Sequence, residues 1–228
     1  MLKRAAALLF SLAFATATHA AESFEAGKHY FPIEPPQPTN TGDKIEVLEV
    51  FSYGCIACNL FRPTMDKVKA ELPKNAQLDY LPASFNTSEN WPTFQRAFFA
   101  AQALGILDKT HEATYDAIWK DDGTLRVTDP KTHQLVKKMP TIEDIGALYA
   151  KVAGIDAAEF VGVANSFAVN TKMKRADAMA KSYGVDSTPT FIVAGKYRFT
   201  TRSVGAIDQV VPLIKFLVEK EAAAHAAP

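Results

Sequence analysis

Cysteine is scarce in this chain: among 228 residues there are two, Cys55 and Cys58. That is too few for a small scaffold stapled by disulfides. No charge of one sign prevails, because 25 Lys and Arg stand against 25 Asp and Glu. A balanced chain is poorly suited to neutralising phosphates, so nucleic acid is not expected as a partner. The N-terminal apolar run, Ala5 to Ala15, falls short of the ~20 residues a spanning helix needs, and no later stretch reaches that length. What is present is ordinary: 48% hydrophobic and 22% charged residues. These fractions supply a core and exclude global disorder. The length fits one domain of ~100–200 residues, or one domain carrying an insertion.

The first twenty residues read as a secretory signal peptide. Lys3 and Arg4 form a positive start, Ala5 to Ala15 an apolar stretch, and Thr18-His19-Ala20 the small residues before a cleavage site. A buried amphipathic helix is the alternative. Removal of residues 1–20 leaves a slight acidic excess and places the mature chain in an oxidising export compartment, where disulfides persist.

Residues 21–44 contain Pro32, Pro35, Pro36 and Pro38, so an extended arm without regular structure is expected. Ile45 to Phe51 is almost entirely apolar, the pattern of a strand covered on both faces. Cys58 to Leu72 has helical spacing through Leu60, Met65, Val68 and Leu72, and Leu78 to Pro82 suggests a second strand. Strand, helix and strand in that order predict a parallel unit. Between Trp91 and Tyr183 the pattern turns helical, with segments at Trp91–Ala101, Ala113–Trp119, Ile142–Val152 and Lys172–Tyr183. Asp156 and Glu159 suggest a capping box flanked by Ile155 and Phe160, and Gly184 suits the residue after a helix. The polar stretch from Asp121 to Pro140 reads as an exposed loop. Thr190–Val193 and Tyr197–Thr201 predict a hairpin around Ala194-Gly195, Ile207–Lys220 a closing helix, and residues 222–228 a disordered tail.

Both cysteines fall in one motif, Cys55-Ile56-Ala57-Cys58, at the junction of the predicted strand and helix. The free N–H groups of a helix start stabilise a thiolate, the reactive form, so Cys55 is expected to attack and Cys58 to resolve. A zinc half-site is a competing reading, but the motif has no further cysteine and no H-x3–5-H pair to complete it. A structural disulfide is another, although closing so short a loop contributes only ~2 kcal/mol. Glu49 lies on the strand six residues before Cys55, facing opposite to Glu46; a solvated edge glutamate is the plain reading.

Further residues carry a resemblance. Pro63 sits within the helix eight residues after Cys55, and Tyr183-Gly184-Val185-Asp186-Ser187-Thr188-Pro189-Thr190 ends in Thr-Pro-Thr. With the Pro36 to Thr39 arm, the Val47 to Tyr53 approach and the Trp91 to Gly105 segment, the chain resembles the DsbA family of periplasmic thiol:disulfide interchange proteins, within the thioredoxin superfamily. The resemblance covers nearly the whole mature chain. It implies an α/β thioredoxin fold over residues 45–89 and 184–221, interrupted by a helical domain at 90–183. It implies a cis peptide before Pro189, leaving the Thr188 backbone free to pair with an extended substrate beside Cys55. Glu49 would be a buried acid beneath Cys58 that handles its proton. No cofactor or metal is implied beyond the redox-active Cys55–Cys58 pair. Substrates would be unfolded secreted proteins, the regenerating partner a DsbB-like quinone-linked membrane oxidase, and the protein a monomer.

Two departures stand out. Familiar members carry Pro-His where this chain has Ile56-Ala57, neither of which can donate a hydrogen bond. Thr188 replaces a more usual valine. Thiolate stabilisation is then expected to fall mainly to the helix end, giving a less oxidising pair. Two other readings stay open. One is a reductase or isomerase, although the short lead-in leaves no room for the dimerisation domain usual in isomerases. The other is a non-catalytic peptide-binding chaperone.

Overall fold

The computed structural model describes residues 24–226; the signal peptide expected at 1–20 lies outside them. Among the described residues five strands form one sheet: β1 (Phe31–Pro32), β2 (Ile45–Phe51), β3 (Ala76–Pro82), β4 (Thr190–Val193) and β5 (Tyr197–Thr200). Their order across the sheet is β1-β5-β4-β2-β3. Every residue of β2 is buried, as its apolar run predicts. It pairs in parallel with β3 through helix α1 (Ile56–Glu71) and antiparallel with β4. Five helices separate β3 from β4: α2 (Trp91–Ala103), α3 (Leu107–Trp119), α4 (Ile142–Ala153), α5 (Ala157–Ala164) and α6 (Phe167–Ser182); α7 (Val210–Ala226) closes the chain. This is a thioredoxin fold with an inserted helical block.

Strand parity sends the two faces of the sheet to different partners. Ile45 and Val47, with Phe191, Val193 and Phe199, pack against Phe61, Met65 and Val68 of α1 and against Val210, Leu213, Ile214 and Leu217 of α7. Leu48, Val50 and Ile192 face the insertion, whose core runs through Phe94, Phe98, Ile145, Tyr149 and Phe160. The apolar face of α1 therefore runs through Phe61 and not Leu60, which is 70% exposed.

Several boundaries differ from the expectation, each for a local reason. The proline-rich arm is not without regular structure, because Phe31 and Pro32 pair with Arg198 and Tyr197. Pairing at a sheet edge tolerates a proline, whose missing N–H faces outward. The arm then crosses the hairpin turn, where the Gln37 amide donates to the Gly195 carbonyl at 2.9 Å. Gly195 has φ +63°, and a Cβ there would lie 2.1 Å from the Gln37 oxygen, so only glycine fits. Helix α6 starts at Phe167, since Ser166 caps it through the Val169 amide. The Asp156 side chain accepts from the Glu159 amide at 2.8 Å, while a box with both halves forms at Thr141 and Asp144. Helix α7 continues through Ala226, where a disordered tail was expected; residues 227 and 228 lie outside the description.

The polar stretch 121–140 is irregular, but it is anchored. Leu125 and Val127, alternating along the chain, are both buried, and the Leu125 amide donates to the Ala117 carbonyl at 2.8 Å. Leu125→Ala removes a core contact under an otherwise exposed loop. It is expected to cost about 2–5 kcal/mol in denaturant unfolding, the range for buried leucine truncation; a cost near zero would show that the loop contributes nothing to the core.

Candidate active site

Helix α1 begins at Ile56 with Cys55 as its N-cap in extended geometry, φ −88° and ψ 115°. Cys58 is then the third helical residue, and the two sulfurs share the first turn. The strand β2 delivers this turn, and the insertion walls it in. Trp119 Nε1 donates to the Tyr53 carbonyl at 2.8 Å. A Cβ on Gly54 would stand 2.8 Å from the Glu89 carbonyl oxygen and from the Trp91 ring, so glycine is what lets the indole close over the chain. On the opposite side the Thr188–Pro189 peptide is cis, and the Cys55 thiol donates to the Thr188 carbonyl at 3.5 Å.

The sulfurs differ in exposure and in proton affinity. Cys55 is 8% exposed and Cys58 1%. The Cys55 thiol is pulled down to about 6. Its largest stabiliser is a hydrogen bond from the Cys58 thiol; burial opposes, and the Thr188 hydroxyl and the amides of Cys58 and Ala57 add to the lowering. The helix end thus assists, but the expectation that it acts as the main stabiliser is corrected by the Cys58 thiol. Thr188 Oγ1 is buried without a hydrogen-bond partner while Cys55 keeps its proton. A donor left over beside the sulfur favours the thiolate, which gives the effect of this threonine its sign. Cys58 goes the other way, pushed well up by burial and then by Cys55 and by the charge of Glu49.

Glu49 is buried in β2, and Tyr80 of β3 is its register partner. Burial raises its carboxyl to about 8; Lys69 of α1 lowers it, and Cys55 and Glu112 of α3 raise it. A cavity of about 290 Å³ lies next to this region, lined by Lys69, Tyr80, Leu107, Asp108, His111 and Glu112. The Tyr80 hydroxyl is buried there without a partner. His111 shares a hydrogen bond of 2.9 Å with the Tyr53 hydroxyl, and burial, Lys69 and Arg62 hold the ring neutral, its pKa pushed down to about 3. Arg62 in turn ties α1 to α3 through Glu112 and Asp116. Cys55, Cys58, Thr188 and Pro189 therefore converge on one turn, and Glu49 acts on it electrostatically from within the sheet. Gly54 and His111 carried no signal of their own in the sequence, and Tyr53 counted only as the end of the approach to the cysteines, because their roles arise from contacts with the insertion. Among the described residues no group of three or more His, Cys, Asp and Glu is placed to hold a metal.

Two measurements follow. Alkylation of Cys55 in the reduced protein should rise with a midpoint near pH 6, and Cys58→Ala should move that midpoint upward; an unshifted midpoint would remove the thiol–thiolate bond as its cause. For Glu49 the native pKa lies above the ordinary value, so the unfolded chain releases this proton first and stability falls as pH rises from 4.5 to about 8. Glu49→Gln should match the wild type near pH 4 and unfold at higher denaturant near pH 8. Equal midpoints at both values would mean that Glu49 ionises in the native protein as freely as in water.

In sequence and fold the chain is similar to DsbA proteins. Residues 15–211 match the family of DSBA-like thioredoxin domains. The thiol:disulfide interchange protein DsbA of Pseudomonas aeruginosa is 33% identical over 204 residues, 90% of this chain and 89% of that protein. DsbA of Pseudomonas syringae pv. tomato is 32% identical over 222 residues, 97% of this chain and 96% of that one. The crystal structure of the Pseudomonas aeruginosa protein superposes with a TM-score of 0.76 at 33% identity, over 90% of this chain and 97% of its own. The chain belongs to the DsbA-like thioredoxin-domain family and is a thiol:disulfide oxidoreductase.

Proposed function

We propose that the protein works in the periplasm as a dithiol oxidase for unfolded secreted proteins, with Cys55 as the sulfur they attack. The observation that carries this reading is the opposition between the two thiols. Cys55 is the more exposed and forms the more stable thiolate, while buried Cys58 holds its proton. Stabilising the Cys55 thiolate stabilises the reduced protein, which makes the disulfide form the stronger oxidant.

The cycle balances two electrons. A client thiolate attacks Cys55 Sγ, and the Cys55–Cys58 bond breaks with Cys58 leaving as a thiolate. A sulfur with so high a proton affinity is a poor leaving group unless a proton reaches it. Glu49, protonated over most of the neutral range, supplies that proton and takes it back when Cys58 attacks in reverse. A second client thiolate then attacks the client sulfur of the mixed disulfide. Cys55 departs as the stabilised thiolate, the client is oxidised, and the pair is reduced. The Thr188 backbone beside cis-Pro189 would hold the extended client. A quinone-linked membrane oxidase would restore the disulfide, with the protein acting as a monomer and holding no other cofactor.

The equilibrium potential in glutathione buffers tests the direction. DsbA lies at about −120 mV and thioredoxin at about −270 mV on the common scale. The pair is expected between these, nearer DsbA, because Ile56-Ala57 withholds donors that the Thr188 hydroxyl and Cys58 thiol replace in part. Ile56→Pro with Ala57→His should raise the potential by about 30 mV per pKa unit lost at Cys55. A value at the thioredoxin end would make the protein a reductase, and an unmoved double variant would remove the dipeptide from the account.

A further inference from the structure

The outer face of α6 takes no part in the redox chemistry. The buried residues of this helix, Val169, Ala176 and Ala180, fall on one side. Phe167, Thr171, Lys174 and Lys181, at successive steps of four, three and seven, share the opposite side. Phe167 is 85% exposed, more than any other large apolar side chain among the described residues. The helix carries four cations, Lys172, Lys174, Arg175 and Lys181, all exposed, against one carboxylate, Asp177. The whole chain balances at 25 charges of each sign, so this is a local excess. Asp177 is committed to the body of the protein, its Oδ1 accepting from the Ser84 hydroxyl at 2.6 Å and from Gln95 Nε2 at 2.8 Å. None of the four cations forms an ion pair among the described residues; Lys172 donates to the neutral Gln102 side chain at 2.9 Å. A groove of about 370 Å³ adjoins this face, with Phe167, Asn170, Lys174 and Asp177 of α6 and Arg96 of α2 in its lining. Arg96 Nη1 donates to the Ala164 carbonyl at 2.7 Å, which fixes the guanidinium and leaves its other N–H groups for an anion.

We propose that this face docks the protein on an anionic phospholipid surface, with Phe167 entering the headgroup boundary and the groove at Lys174 and Arg96 taking a headgroup phosphate. Charge complementarity selects an anionic partner. Phe167 selects a bilayer over an acidic polypeptide, because it projects from the first turn of the helix and a bilayer takes a protruding ring without a matching socket. The stems of the neighbouring lysines and arginine can lie along the apolar boundary with their charges at the phosphates. At sixteen residues α6 is about 24 Å long. Phe167 stands at its start, and the segment that follows its other end, Gly184 onward, leads into Thr188-Pro189. The docking stands apart from the oxidase reading. Its consequence rests on that reading: reduced protein held at the surface would meet a membrane oxidase by diffusion in two dimensions.

The test is sedimentation of the full-length mature protein with sucrose-loaded vesicles at low salt. One set is phosphatidylcholine alone, and the other contains about one third phosphatidylglycerol. The wild type should partition ~10-fold or more better onto the phosphatidylglycerol vesicles, and added salt should reduce the difference. Lys174→Gln with Arg175→Gln should weaken that partition by ~10-fold or more, as loss of two interfacial cations requires. Phe167→Ser should weaken it by ~5-fold or more through the lost apolar contact. All these residues lie at the surface, and a thermal transition matching the wild type verifies folding of each variant. Equal partition of the wild type onto both vesicle types, or wild-type partition by either variant, overturns the proposal. So does capture on immobilised polyglutamate without binding to vesicles, which would make the face a site for an acidic polypeptide.

Discussion

One asymmetry sets the terms for the rest of the structure: the Cys55 thiol is pulled down while the Cys58 thiol is pushed well up. One sulfur keeps its proton while the other loses it. Identical groups in one helical turn must therefore sit in unlike surroundings. Depth supplies the difference. Cys55 is the N-cap at the surface end of the turn, where the amides of Ala57 and Cys58 point at it. Cys58, one turn inward, lies against the core and above a sheet that contains a buried carboxyl. Each element of the fold that matters to the chemistry preserves this gradient.

Glu49 shows its cost. A carboxyl in the middle of a fully buried strand is penalised when ionised, and the native state holds it protonated to about pH 8. Leucine or valine at that position would pack without this penalty. A proton carrier beneath a buried thiol, however, has to sit where water does not reach freely. Destabilisation of the fold and the proton exchange with Cys58 proposed above would come from the same burial. Lys69 of the neighbouring helix lowers this carboxyl and moderates the penalty.

The helical insertion is as much a part of the site as the sheet. Trp119 holds the Tyr53 carbonyl, His111 shares a hydrogen with the Tyr53 hydroxyl, and Trp91 lies on Gly54. These contacts explain where sequence reading succeeded and where it stopped. Strand β2, the cysteine pair, the hairpin and the alternation of Glu46 and Glu49 follow from period and local chemistry, so they were legible. So was the end of α6, where Gly184 has φ +65° and its amide bonds the Lys181 carbonyl. The burial of Leu125 and Val127 was written in their alternation but masked by the polar residues around them. Choosing between Leu60 and Phe61 as the buried side of α1 required knowing how the helix lies on the sheet. The pairing of Phe31 with β5 and the role of Thr188 depend on partners more than a hundred residues away, and local pattern carries no information at that range.

The first turn of α1 has given up donors and gained surface. Ile56 is 50% exposed and Leu60, four residues on and on the same face, is 70% exposed. Neither side chain can hydrogen-bond a thiolate, so the Cys55 sulfur relies on Cys58, Thr188 and two amides. The same two side chains leave apolar area exposed on the first turns of the helix that carries the reactive sulfur. An unfolded polypeptide presents apolar groups in no fixed order, and a reactive centre bordered by such surface gains contact with any of them at about 25 cal/mol per Å² covered. Thiolate stabilisation and client contact thus compete for the same positions. In this chain, the side chain between the cysteines that lies in solvent would serve contact under the proposed function, while the Cys58 thiol and the Thr188 hydroxyl lower the Cys55 pKa.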